Sequence, residues 1–306
     1  MKRRVIQIAN STQLISLPRK WSLQFNIKKG DELEVEENGS KLSISTEKEI
    51  FSDRVEVNFI ENRPLTDSMI YRYLSAIYKA GCDEIYVTYQ TPQECEIAQR
   101  TVNNEFVGFE IVEEGKNYFM TKKISNLEVS EFDTMLKRTF FFLNTMAKDG
   151  LEAVRSNDRE TLKNLVIRDI NINKLTDYTR RIINKNSHTK YKRTHPLYLI
   201  IEHQEKIGDG YKKIFRMLGE NNIKLDKRTI NIYSRVTGFL ESFYNLFYDF
   251  KLEKVGKFIA DKRQIEAEIM ALLGKVDKKD TQVLIYLYYI LYLIFDCNGP
   301  IMAIKV

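Results

Sequence analysis

The stretch Asn164–Leu175, NLVIRDININKL, decides how the longer part of this chain folds. Leu165, Val166 and Ile172 join Leu162 and Ile183 in one apolar stripe of a helix. Asp169 and Asn173 fall in the centre of that stripe. A carboxylate placed there costs several kcal/mol unless it is paired or bound. The helix must therefore meet a buried partner, an interface or a metal.

The same spacing of three and four continues on both sides of this stretch. It predicts helices near 131–155, 159–186, 196–220, 228–249, 251–274 and 280–297, broken at SNDRE, NSHTKYKRTHP, NNIKLDK, DFK and KVDKKD. The run Val283–Phe295, VLIYLYYILYLIF, has 13 apolar residues. A membrane span needs about 20, so the run is expected to be a buried helix, with no membrane span in the chain. NLVIRDININKL can be laid over KFIADKRQIEAEI with Ile172 on Ile265, and KIGDGYKKI over FDCNGPIMAI, which implies two three-helix units.

Towards the N-terminus the pattern changes twice. Residues 50–125 alternate RVEVNFI, LTDSMIYRYLSAIYKAG, DEIYVTYQ, PQECEIAQRTVN, FVGFEIVEE and KNYFMTKKI, a small βαβαββ domain. Residues 1–46 read ββαββ: RVIQIA and LISL, then a short helix after Pro18, then DELEVEENGSKLSIS with a hairpin turn at Asn38-Gly39. So small a unit buries little core alone and needs a second copy. The expected domains are thus 1–48, 50–125 and 127–306.

Charge is distributed unevenly. The 306 residues carry a net charge of +6. Lys2, Arg3, Arg4, Arg19, Lys20, Lys28 and Lys29 stand in residues 1–29 with no acid among them. Asp31, Glu32, Glu34, Glu36, Glu37, Glu47 and Glu49 follow, against Lys41 and Lys48. Clustered cations of this kind neutralise phosphates on duplex DNA, or pair with the acidic hairpin beside them. Cys82, Cys95 and Cys297 show no CxxC spacing and read as reduced thiols of a cytoplasmic protein. MKRRVIQIANSTQ has no apolar core of a signal peptide.

QLISLPRKWSLQFNIKKGDELEVEENGSKLSIS resembles the AbrB/SpoVT/MazE-type swapped-hairpin domain. Asp169-Ile-Asn-Ile172-Asn173 and Glu205-Lys-Ile-Gly-Asp209 resemble the motifs of PhoU, the phosphate-uptake regulator. The pairing resembles a class of archaeal regulators. These resemblances imply a small all-β swapped-hairpin head that dimerises and binds double-stranded DNA, a small α/β middle domain, and an all-α PhoU-like body of two three-helix repeats. The arginines of the bacterial AbrB pattern align with Leu14 and Ser22-Leu23 and are absent here.

The candidate DNA contacts are Lys2, Arg3, Arg4, Arg19, Lys20, Lys28 and Lys29. The candidate ligands of a divalent metal or iron are Asp169, Glu205 and Asp209. In the second repeat Glu266 is kept, while Lys262, Ile294 and Asn298 stand where acids are wanted. Glu202, Glu205 and Asp209 also read as a solvated helix face with i,i+4 ion pairs beside Lys212 and Arg216. The tract 184–196, with His188 and His195, reads as a polar loop, an anion site or a histidine pair for a metal. No Ser/His/Asp or Cys/His constellation is present, so an enzyme is not expected. The expected function is a cytoplasmic, homodimeric regulator of phosphate homeostasis. The alternative is an adaptor that dimerises through its head and docks on a phosphate transporter or signalling protein without binding DNA.

Overall fold

In the computed structural model the described residues are 3–8, 12–39, 41–46, 54–60, 65–125, 131–185, 193–221 and 223–305. The chain divides into two compact units, Met1–Arg54 and Val55–Val306. The α/β layer and the helices, expected as separate domains at 50–125 and 127–306, cohere as one of these units.

In the first unit β1 (Ile6–Ile8) and β2 (Thr12–Leu14) form an antiparallel pair with Ile6 opposite Leu14. Helix α1 (Arg19–Gln24) follows Pro18, which stands at the N-cap position without a side-chain capping bond; Trp21 and Phe25 touch along it, ring centroids 5.4 Å apart. The KKGD turn closes with Lys28 N–H donating to Asp31 Oδ2 at 2.6 Å, and Gly30 at φ +93° supplies the left-handed backbone. Strands β3 (Glu34–Asn38) and β4 (Lys41–Ser45) form a second antiparallel pair. Asn38 is itself paired with Lys41, so the turn begins one residue later than the Asn-Gly reading places it. The two hairpins remain separate two-stranded sheets.

The division falls at the first residue of β5 (Arg54–Asn58); the second unit continues with α2 (Asp67–Ala80), β6 (Glu84–Thr88), α3 (Pro92–Glu105), β7 (Phe109–Glu114) and β8 (Tyr118–Lys123), the expected order. The sheet runs β5-β6-β8-β7, with β8 antiparallel to both β6 and β7. Local chemistry fixes each helix end. Thr66 Oγ1 accepts from Met69 N–H, and Gly81 at φ +107° ends α2. Thr91 and Glu94 form a capping box around Pro92, the first residue of α3. Tyr78 of α2 stacks on Phe106 at 4.4 Å and meets Phe109 edge-on at 5.4 Å, tying helix to sheet.

Six long helices follow: α4 (Phe132–Ser156), α5 (Arg159–Lys185), α6 (Thr194–Glu220), α7 (Lys227–Tyr248), α8 (Leu252–Leu272) and α9 (Lys278–Asp296). Their bounds lie within two residues of those read from apolar spacing. A short α10 (Asn298–Lys305) is an addition. Pro300 falls in its first turn, where the missing N–H has no partner to lose.

Helices α4, α5 and α6 pack on one another, as do α7, α8 and α9; the two sets meet through α4 on α7 and α6 on α9. The stretch Lys278–Lys305 is long and apolar enough to cross a membrane. In this fold Val283, Leu284, Leu287, Ile290, Leu291 and Ile294 of α9 are buried in the core. Helix α5 is the hub: it contacts α4, α6, α2 and α3. From Leu175 to Ile183 every residue of it is buried, including Asp177, Arg180 and Arg181. Encirclement on all sides, not an apolar stripe, explains that run.

Candidate functional site

The first unit gathers cations on bare surface. Arg3, Arg4, Arg19, Lys20, Lys28 and Lys29 are all exposed. None of their side chains makes an ion pair among the described residues. Lys2 lies outside the described residues. Apolar side chains are exposed beside them: Ile6 is 56% exposed, Ile8 52%, Val35 58% and Leu42 61%.

In the second unit charge is concentrated where α5 meets α6 and the α/β layer. Glu202, Glu205 and Asp209 keep partly exposed side chains, and Glu202 pairs with Lys206 four residues on, while all three also reach groups bound to α5. Arg180 of α5, 1% exposed, donates Nη1 to Glu202 and Nη2 to Glu205, and reaches Asp177 Oδ1 at 2.5 Å. Its Nε donates to the Thr176 carbonyl at 3.2 Å. Lys79 of α2 approaches the same Asp177 oxygen at 3.6 Å. Burial alone would lower the pKa of this guanidinium, but Glu205, Asp177 and Glu202 outweigh it and hold it above its ordinary value.

One turn away, Lys212 of α6 bridges α5 and α6. Its Nζ donates to Asp169 Oδ2 at 2.5 Å and to Asp209 Oδ1 at 2.6 Å. Asp169, 2% exposed, is thus paired, as its position in the stripe requires. Its burial still raises the carboxyl above its ordinary value, opposed by the hydrogen bond from Lys212. Desolvation works against the ammonium, but its bonds to Asp169 and Asp209 prevail and raise it. Asn173 Nδ2 lies 3.4 Å from Asp169 Oδ2.

The three candidate metal ligands are therefore divided. Asp169 and Asp209 share Lys212, while Glu205 turns to Arg180. Among the described residues no three His, Cys, Asp or Glu side chains are grouped to hold a metal. His188 lies outside the described residues; His195 is exposed, and His203 Nδ1 is 2.8 Å from the Leu199 carbonyl.

Sequence reasoning missed the groups contributed by other elements. Glu105, the last residue of α3, is 7% exposed, and its Oε2 has no hydrogen-bond partner. Burial, then the negative Asp177 and Asp169, push its carboxyl up to about 7. Asp177 is pushed up to about 6, first by burial and against the pull of Arg180 and Lys79. Arg181 turns the opposite way from Arg180: Nη1 donates to the Tyr78 carbonyl at 2.8 Å and the Cys82 carbonyl at 2.7 Å, and Nη2 to Asp83 at 2.5 Å. Adjacent arginines inside a helical pattern are the one signal that could have marked this buried junction.

No family model matches the sequence, and no curated protein does. A PhoU-like phosphate regulatory protein from Shewanella oneidensis MR-1 is similar in structure at a TM-score of 0.40 and 12% identity, over 56% of this chain and 97% of its own. A second PhoU-like protein from the same organism is similar at a TM-score of 0.30 and 10% identity, over 60% of this chain and 94% of its own.

Proposed function

We propose that the chain is a cytoplasmic, homodimeric DNA-binding regulator linked to phosphate homeostasis. The observation that carries this reading is the state of the first unit. It holds two separate hairpins, apolar residues exposed by half or more, and six cations with no acidic partner among the described residues. Two-stranded hairpins are marginal alone, and a second copy packed on them covers those apolar faces. Pairing about a two-fold axis doubles the cations on one surface, the electrostatic footprint of a duplex-binding protein.

The helical body is read as the sensing or relay part. Supporting this, the PhoU-like stretches 169–173 and 205–209 face each other across the α5–α6 seam and are joined by Lys212. Helix α5 also carries Arg181, so any change of packing at the seam reaches the sheet layer through one element. The proposed mechanism is that an effector or partner protein shifts this packing and thereby the spacing of the two heads on DNA.

The test is fluorescence anisotropy of the full chain with a labelled duplex at 50 and 200 mM salt. Binding that weakens by an order of magnitude or more supports the reading. Absence of duplex binding at the lower salt overturns it and leaves the adaptor that docks on a phosphate transporter or signalling protein.

A further inference from the structure

A divalent ion at the α5–α6 seam would have to lie between Asp169 and Asp209. Calcium and magnesium hold carboxylate oxygens at about 2.0–2.6 Å. The Lys212 nitrogen stands 2.5 Å from Asp169 Oδ2 and 2.6 Å from Asp209 Oδ1, the place such an ion would take. The surroundings are built for a cation. Asp169 Oδ1 and Asn173 Oδ1 are buried and have no hydrogen-bond partner. Helix α6 comes close because Gly208 lacks a side chain; a Cβ there would lie 3.2 Å from Asp169 Oδ1. The residues do not fit a metal while Lys212 is present, because its ammonium fills the position and supplies the charge.

The second helix set repeats the device by another route. With Ile172 laid on Ile265, Asp169 falls on Lys262, so the cation itself occupies the carboxylate's place. Lys262 is 7% exposed, donates to Glu266 Oε2 at 2.8 Å and lies over the Tyr292 ring at 4.1 Å. Tyr288 and Tyr292 hydroxyls donate to the other oxygen of Glu266.

We propose that Lys212 is a built-in counter-ion in place of a metal, and that removing its charge turns Asp169, Asp209 and Asn173 into an oxygen-donor site for a divalent cation. This inference stands independently of the DNA-binding reading.

The experiment is calorimetric titration of the chelator-treated full chain with Mn²⁺, followed by electron paramagnetic resonance of the bound ion. Wild type is expected to bind no Mn²⁺ at this site. Lys212→Met is expected to bind one Mn²⁺, at least tenfold above any residual titration of the wild type, and Lys212→Met with Asp169→Asn to lose it. Equal binding by wild type and Lys212→Met, or a folded Lys212→Met that binds none, overturns the proposal. If Lys212→Met fails to fold without metal, adding Asp169→Asn must restore folding by removing the uncompensated charge; failure to do so also overturns it.

Discussion

Arg181 of α5 and Asp83, at the entry to β6, are joined Nη2 to Oδ1 at 2.5 Å, and this contact locks the helices to the α/β layer. The guanidinium also sits 4.9 Å from the centres of the Tyr78 and Phe109 rings. One side chain therefore satisfies two carbonyls at the end of α2, one carboxylate and two aromatic faces.

Without Arg181, Asp83 keeps its ion pair with Lys185, but the Tyr78 and Cys82 carbonyls lose their buried donor. Arg181→Met is expected to destabilise the protein by about 1–3 kcal/mol. Urea unfolding would measure this loss, and amide exchange should show β6 and the end of α2 opening before the core of α6. Unchanged stability would mean that the junction is held elsewhere.

Glu105 sets a pH dependence. The folded carboxyl titrates at about 7 against an ordinary 4.5, so the folded state binds the proton more tightly than the unfolded chain. Stability is therefore greatest below about 4.5 as far as this group is concerned, and falls as pH rises through 7. The loss is at most about 3 kcal/mol. Glu105→Gln should flatten the fall and stabilise the protein at pH 8 but not at pH 4.5. Asp177, at about 6, should leave a smaller fall between about 4 and 6. Thermal unfolding of both proteins across this range checks the sign.

Gly150 lets α4 pack closely against α6 and α7. A Cβ there would lie 2.3 Å from Phe215 Cε1 and 2.7 Å from the Tyr233 hydroxyl. Overpacking of this kind costs about 1–3 kcal/mol. Gly150→Ala should lower the midpoint of chemical unfolding accordingly, although alanine is the better helix former. A rise in stability would show that the α4–α6–α7 contact is looser than described.

The bare faces of the first unit predict self-association. Ile8→Asp with Val35→Asp should convert a dimer to a monomer in sedimentation while leaving the helical circular dichroism of the second unit intact. A wild-type monomer at micromolar concentration would contradict the pairing.

The helices were legible because apolar spacing survives in every one of them, and Asp169 was marked as needing a partner by its place in the stripe. The identity of that partner was not legible. Lys212 reads as one more exposed cation until α6 is laid on α5, because a helical wheel shows which residues share a face and not what that face meets. Arg180, Arg181 and Glu105 were hidden for the same reason: their burial comes from α2, α3 and α6 closing around α5. The βαβαββ order was readable from its caps and turns, since Thr91-Pro92 with Glu94 is a local signal. Its merging with the helices runs through contacts far apart in sequence, Arg181 and Lys185 on Asp83 and Lys79 on Asp177, and no local pattern carries those.

The most direct measurement is the salt dependence of duplex binding by the full chain with Arg19→Glu and Lys20→Glu. Both side chains are exposed and their substitution should leave the fold intact. Affinity should fall by at least tenfold for every duplex sequence tried, with a shallower slope of log affinity against log salt. Binding as tight and as salt-sensitive as that of wild type would contradict the first unit as the DNA contact.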